Sequence, residues 1–335
     1  MMNTSKKPDS NVREGTVIKG KWYHNHYTVL KTLGYGATGS VYLAEGKDGL
    51  VALKVSEDSV AITSEVNVLR HFSKVQGRLG PSLLDVDDWI LLRSGKTLHF
   101  YAMEYIKGTD FLSFIKTNGE EWLSVLVLQL LSDLDRLHQA GWVFGDLKPD
   151  NLLVVGPPSR VRWLDVGGTT IQGRSIKEFT EFFDRGYWGL GSRRAEPSYD
   201  LFAVAMIMIN TAYPLRFSKK GELINQYPQL AKAVQSAPSL RKYEKVIIKA
   251  IQGHFSSARE MREELLEIIS SQNVIKKPRP APTPRPIPPS KPIYNERQIK
   301  RKNVQRKRFR GVLESIILAL FLLLAYFLYI AEHML

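Results

Sequence analysis

Phe144-Gly145-Asp146-Leu147-Lys148-Pro149-Asp150-Asn151 packs carboxylate, ammonium and carboxamide groups into one short turn, with Pro149 stiffening the backbone between Lys148 and Asn151. Phosphoryl transfer from a nucleotide asks for that set. An acceptor hydroxyl must be oriented and lose its proton, the charge on the moving phosphate must be offset, and Mg²⁺ needs oxygen ligands. In that chemistry Asp146 orients the hydroxyl and takes the proton, Lys148 neutralises the γ-phosphate, and Asn151 ligates metal. The plain alternative is a surface turn, because Asp, Lys, Pro and Asn all favour turns. What decides between the two is the company the stretch keeps along the chain.

Upstream, Leu33-Gly34-Tyr35-Gly36-Ala37-Thr38-Gly39-Ser40-Val41 is a G-x-G-x-x-G-x-V loop between two apolar strands. Glycine lets such a loop approach phosphates closely. The dinucleotide fingerprint should open a helix, whereas this loop runs into a strand. Next comes Leu50-Val51-Ala52-Leu53-Lys54-Val55, in which a lysine inside an apolar strand requires a partner. Eleven residues on, Glu65 lies in a segment whose apolar residues at 62, 66 and 69 form one helical face, so a Lys54–Glu65 ion pair is expected. Downstream of the turn, Leu152–Val155 reads as a buried strand, and Arg160–Leu164 leads to Asp165-Val166-Gly167.

Taken in order, these motifs resemble those of eukaryotic-like protein kinases over about residues 21–270: the glycine loop, V-A-L-K, the helix glutamate, M-E-Y-x-x-G at Met103–Gly108, D-L-K-P-D-N and the metal aspartate. Lys148 is the residue that Ser/Thr kinases carry there. More narrowly, Gly141–Asn151 and Asp165-Val166-Gly167-Gly168-Thr169-Thr170 are similar to those of the YabT-type kinases of sporulating bacilli, which end in a membrane anchor. The resemblance implies an α+β, bilobal protein-kinase fold with a small β-rich N-lobe and a larger helical C-lobe, then a disordered basic linker and one transmembrane helix. Implied boundaries are a leader over 1–20, N-lobe and hinge over 21–106, C-lobe over 107–272, linker over 273–310 and anchor over 311–335. ATP and Mg²⁺ are the implied cofactors. Gly34, Tyr35, Gly36, Ala37 and Gly39 would cover the phosphates, with Lys54 held on them by Glu65. Val41, Ala52 and Leu153 would sandwich the adenine, and the backbone from Glu104 to Ile106 would bond its edge. Asp146 and Lys148 are the implied catalytic groups, Asn151 and Asp165 the metal ligands. Asp200 would brace the catalytic turn from the next helix.

Five departures from the family pattern stand out. Gly145 replaces the arginine that pairs with an activation-segment phosphate, so switching by that phosphate loses its anchor. Phe144 replaces a histidine, and Val166 a phenylalanine. Ala195-Glu196-Pro197 resembles a rearranged A-P-E triplet, and His254 stands where its glutamate's arginine partner is expected. A shortened or rebuilt peptide-docking region follows from these changes.

Charge is unevenly distributed. Residues 276–310 hold thirteen Lys or Arg against one acidic residue, Glu296, a local +12 within a chain total of +14. The remaining 34 basic and 32 acidic residues leave the rest near neutral. Eight prolines between Lys276 and Pro292 make that stretch an extended linker unable to build a core. Beyond it, Ile316–Ala331 is sixteen residues without a charge, and counting from Val312 gives ~20 residues, about 30 Å as a helix, enough to cross a bilayer. The basic cluster before the span predicts single-pass insertion in the cell membrane with the kinase domain cytoplasmic. Expected partners are protein substrates, anionic membrane lipid, DNA through residues 276–310, and a second copy of the chain. The absence of cysteine excludes disulfides and cysteine–metal sites. Two other functions compete on the same residues: a membrane-tethered pseudokinase scaffold that binds nucleotide without turnover, favoured by the irregular stretch after Asp165, and a small-molecule or lipid kinase, disfavoured by Lys148 and Pro149.

Overall fold

A computed structural model describes residues 12–275 except 37, 74–78, 93 and 222–224. These residues fall within the first of two contact units, 1–277; the second, 278–335, lies outside them. The N-terminal part is a six-stranded antiparallel sheet ordered β1-β2-β3-β4-β6-β5, built from β1 (Val17–Lys19), β2 (His26–Gly36), β3 (Gly39–Gly46), β4 (Gly49–Ser56), β5 (Leu83–Ile90) and β6 (Thr97–Glu104). Against it lies α1 (Ser59–Phe72), started by Asp58, whose carboxylate accepts the Val60 and Ala61 N–H groups. Ile62, Val66 and Leu69 are buried, so the apolar periodicity does mark the helix face that meets the sheet.

Two readings of the N-terminus are corrected. The leader over 1–20 is shorter than expected: Val17–Lys19 pairs with β2 in register Val17↔Thr28, and Val12 is buried. A three-residue strand at a sheet edge is too short to show periodicity. Trp22 and Tyr23, whose β-prone aromatic side chains favour a strand, form a bend instead, because their N–H groups are held by the carboxylate of Asp87 on β5.

The larger C-terminal part is mostly helical: α2 (Phe111–Asn118), α3 (Trp122–Gln139), α4 (Pro197–Ala212), α5 (Tyr227–Ser236), α6 (Glu244–Ile251) and α7 (Ala258–Ile275). Its centre is α4, buried along nearly its whole length from Tyr199 to Asn210, which matches a sequence apolar on every side. Short strands fix the loops between the two parts: β7 (Thr109–Asp110), β9 (Leu152–Val155) and β10 (Arg160–Trp163) form one sheet, β8 (Trp142–Val143) and β11 (Thr170–Ile171) another. Among the described residues no helix is long and apolar enough to cross a membrane. Of the expected linker over 273–310, residues 273–275 are instead the end of α7, and the remainder, with the span over 311–335, lies outside those residues.

Candidate active site

Strand register builds the first half of the site. Lys54 on β4 lies directly opposite Tyr101 on β6, so both side chains leave the same face of the sheet. They converge on Glu65 of α1. Lys54 Nζ is 2.6 Å from Oε1, with both side chains only 4% exposed, and the Tyr101 hydroxyl donates to Oε2 at 2.7 Å. Thr38, in the glycine loop, donates to Oε1 as well, at 3.0 Å. Burial, then the Glu65 charge, pushes the Tyr101 phenol well above its ordinary range, so it remains a neutral donor. A buried ammonium and carboxylate are tolerable only with such additional hydrogen bonds.

The cleft between the two parts has a volume of about 360 Å³. Gly34, Val41, Ala52, Lys54, Tyr101, Met103, the connector Glu104–Gly108, Leu153, Leu164 and Asp165 line it. The lining thus includes the expected Gly34, Val41, Ala52, Lys54, Glu104, Ile106, Leu153 and Asp165. Tyr35, Gly36 and Gly39 belong to the β2–β3 hairpin beside it, and Ala37 lies outside the described residues. Gly39 sits at φ +147°, and a Cβ there would meet the Val55 carbonyl oxygen at 2.5 Å, so the hairpin closes against β4 only with glycine. Glu104 is held by Arg162 at 3.0 Å and by Ser82. Burial pushes its carboxyl up, but those bonds outweigh burial and keep it below the usual range.

The second half of the site is the catalytic turn. Fully buried Asp200, on α4, accepts the N–H groups of Phe144 at 2.8 Å and Gly145 at 3.0 Å, and also contacts His138 Nε2 at 2.9 Å. The bracing implied for Asp200 is therefore present, with His138 as a partner the sequence did not announce. Pro149–Asn151 is one 3₁₀ turn leading into β9. Asn151 Nδ2 donates to the Asp146 carbonyl at 2.9 Å, which turns its carbonyl oxygen away from that bond. Asp146 pairs with Lys148, and Thr180 closes a triangle with both, donating to Asp146 Oδ1 at 2.9 Å and accepting from Lys148 Nζ at 3.0 Å. Thr180 was not anticipated: a lone threonine in a polar loop carries no pattern. Phe144, in place of histidine, stacks edge-on against Trp163 at 4.8 Å, and Trp163 on Phe72 at 6.1 Å. This aromatic chain links the turn to the end of α1.

Glu178 relates the two halves. Its half-buried carboxyl is raised, first by burial, then by the charges of Asp165, Glu65 and Asp146, with Lys54 opposing. A Cβ placed on Gly167 would have oxygens of Asp165, Glu65 and Glu178 within 4 Å, so these three carboxyls face one space.

Gly145 has a structural reason. Its φ is +86°, and a Cβ there would lie 2.5 Å from the Gly168 carbonyl oxygen. Nearby, Ile176 is buried with Val143, Ala195 and Tyr199. An apolar side chain thus pins the segment beside the catalytic turn. Around Ala195-Glu196-Pro197 the glutamate has a partner the sequence did not name. Glu196 stands at the N-cap of α4 and pairs with Arg185 at 2.5 Å, while His254 is exposed. The hub of the segment is instead Asp184, fully buried, which accepts from Gly186 and Tyr187 N–H groups, Arg193 and the Tyr199 hydroxyl. Loops organised on one carboxylate have no sequence period to read.

Nucleotide-scale cleft, buried lysine–glutamate pair and braced catalytic turn together define a protein kinase, and the protein kinase domain family matches residues 27–277. The chain belongs to that family and is an enzyme of the serine/threonine protein kinase class. It is 48% identical over 331 residues, 95% of either chain, to the serine/threonine-protein kinase YabT of Bacillus subtilis. It is also 31% identical over 136 residues to the serine/threonine-protein kinase PkaB of Streptomyces coelicolor, covering 39% of this chain and 32% of that one. The kinase domain of Mycobacterium tuberculosis PknI, solved as a double mutant, shares the fold with a TM-score of 0.55 at 21% identity, covering 77% of this chain and 98% of that one.

Proposed function

We propose that the chain is a membrane-anchored serine/threonine kinase that transfers the γ-phosphoryl group of ATP to protein hydroxyls on the cytoplasmic side. The observation that supports it most is that Lys54 and Asp165 line one cleft, with Glu65 paired to Lys54 and Asp146 packed beside Gly168 of the same segment. Lys54, oriented by Glu65, would bind the nucleotide phosphates. Asp146 would accept the hydroxyl proton, with Thr180 holding its second oxygen in place, and Lys148 would offset charge on the moving phosphate. Asn151 and Asp165 fit Mg²⁺. Both offer hard oxygen, Asp165 is exposed with only one oxygen engaged, by the Gly167 N–H at 2.9 Å, and the Asn151 carbonyl is free of the Asp146 bond. When bound, Mg²⁺ supplies electrostatic neutralisation of the phosphate oxygens.

Assembly without an activation-segment phosphate forms part of this reading. Gly145 leaves no room for an anchoring arginine, and Ile176 holds the segment by apolar contact instead. Residues 276–310 would attract anionic lipid and bind DNA through phosphate contacts, gathering molecules for phosphorylation in trans; residues 311–335 would anchor them.

The test is ATP/Mg²⁺ autophosphorylation of the chain cut after residue 310, with site mapping by mass spectrometry. Lys54→Arg, which keeps a charge on Glu65, Asp146→Ala and Asp165→Asn should each lower the rate by about 10²–10⁴ while leaving the melting temperature within a few degrees. Undiminished transfer by Asp146→Ala would refute the assignment of roles. Duplex DNA should stimulate that chain but not one cut after 275, and progressively less as salt rises. Membrane fractionation of the full chain against the cut one checks the anchor.

A further inference from the structure

Beside the catalytic turn, a second groove of about 560 Å³ opens between α5 and the loop from Tyr213 to Lys220. Tyr213, Phe217, Pro228 and Ala233 make its apolar lining, and Lys220 and Lys232 stand at it with exposed side chains. Among the described residues no carboxylate lines it, and neither lysine has an ion-pair or hydrogen-bond partner for its ammonium. The groove is built rather than incidental. Gln229 of α5 uses both ends of its amide to hold the loop, accepting from the Lys220 N–H at 2.8 Å and donating to the Ser218 carbonyl at 2.9 Å. The Tyr213 hydroxyl donates to the Ala233 carbonyl at 2.9 Å.

Two connections tie this groove to the acceptor site. Phe217 packs edge-on against Phe182 at 5.3 Å, and Phe182 is two residues beyond Thr180, the threonine bonded to Asp146. Arg216, at φ +57°, turns its guanidinium onto Asp150 of the catalytic turn and over the Phe183 ring. That offsets the charge of an exposed carboxylate on the catalytic turn. Lys219 lies over the Tyr187 ring at 5.0 Å, adding a third cation next to the groove.

We infer that this groove docks an acidic segment of the protein acceptor, with aromatic or aliphatic side chains in the lining and carboxylates on Lys220 and Lys232. This rests on the kinase reading and specifies its substrate class: proteins with an acidic apolar stretch away from the phosphorylated residue. Two exposed cations at an apolar trough, with no carboxylate among the described lining residues, are the complement of such a stretch.

The test uses the full chain. A fluorescein-labelled peptide alternating Glu and Phe is titrated without ATP and followed by anisotropy, beside Ser-Phe and Lys-Phe counterparts. The acidic peptide should bind about tenfold more tightly than the other two, lose that advantage as salt rises, and weaken about tenfold in Lys220→Glu/Lys232→Glu. Lys220→Gln/Lys232→Gln should give a smaller loss in the same direction. With ATP, the double reversal should raise KM for dephosphorylated casein, an acidic acceptor, about tenfold, with kcat and KM for ATP preserved, and should leave myelin basic protein unaffected. Equal binding of the three peptides, which would make the groove apolar only, overturns the inference. So does wild-type affinity in the double reversal, or no binding at all. Because docking is read without ATP, acidic-peptide binding by a chain that transfers no phosphate would overturn the kinase reading and leave the groove standing.

Discussion

Two buried carboxylates, Glu65 and Asp184, hold this molecule's working parts, and their surroundings are built in opposite ways. Lys54–Glu65 is made by regular structure: strand register sets the lysine beside Tyr101, and a helix with an apolar face delivers the glutamate. Asp184–Arg193 is made by a loop: one buried carboxylate gathers two N–H groups, a guanidinium and a phenol from residues 186–199, without a repeating element among its partners. The difference predicts different failures. Where a frame positions the charge, removing a side chain should cost chemistry and leave the fold intact. Where side chains and close backbone approaches build the frame, the fold itself should suffer.

Gly145→Arg breaks this comparison most forcefully. Restoring the family's arginine would seem to restore a phosphate switch. Here the added Cβ meets a backbone oxygen, which cannot swing aside as a side chain can, and the backbone is left-handed. The expected outcome is a loss of about 2–4 kcal/mol in chemical denaturation, with activity lost through unfolding rather than made phosphate-dependent. A stable variant whose rate follows phosphorylation within residues 168–196 would show that the segment is not held as described.

Thr180→Ala tests the point where the two regions touch. It removes one bond to Asp146 and one to Lys148, both partly exposed groups, so the fold should hold. The catalytic carboxylate then loses part of its orientation, and kcat should fall about tenfold with KM for ATP unchanged. Thr180→Ser keeps the hydroxyl and should recover most of the rate. Equal loss in both variants would mean that the methyl group, not the hydroxyl, matters.

The same contrast explains what could be read from the chain alone. The cleft was legible because its parts obey period and chemistry: a lysine in an apolar strand demands a partner, and residues 62, 66 and 69 point to the helix that provides one. Asp200's role followed from resemblance, and the geometry agrees. Thr180, Tyr101 and Asp184 were not legible. Tyr101 looks like any strand aromatic until β6 is registered against β4. Asp184 looks like a turn residue until its four partners, gathered from a loop, are in place. The partner of Glu196 was not legible for the same reason: the altered triplet sits at the start of α4, where Arg185 is the cation within reach.

Tyr101→Phe is the smallest and sharpest of these tests. The ring stays buried, no cavity opens, and only the hydroxyl donated to Glu65 Oε2 is removed. Lys54 and Thr38 still hold the other oxygen, so the glutamate keeps two of its three bonds. A buried carboxylate that loses one neutral donor should cost about 1 kcal/mol of stability, and the ATP-dependent rate should fall only a few-fold. Glu65→Gln removes the charge that Lys54 requires and should cost far more of the rate. If Tyr101→Phe proved as damaging as Glu65→Gln, Lys54 could not be held mainly by its ion pair. The cleft would then depend on a side-chain hub just as the Asp184 loop does, and the distinction between the two regions would fall.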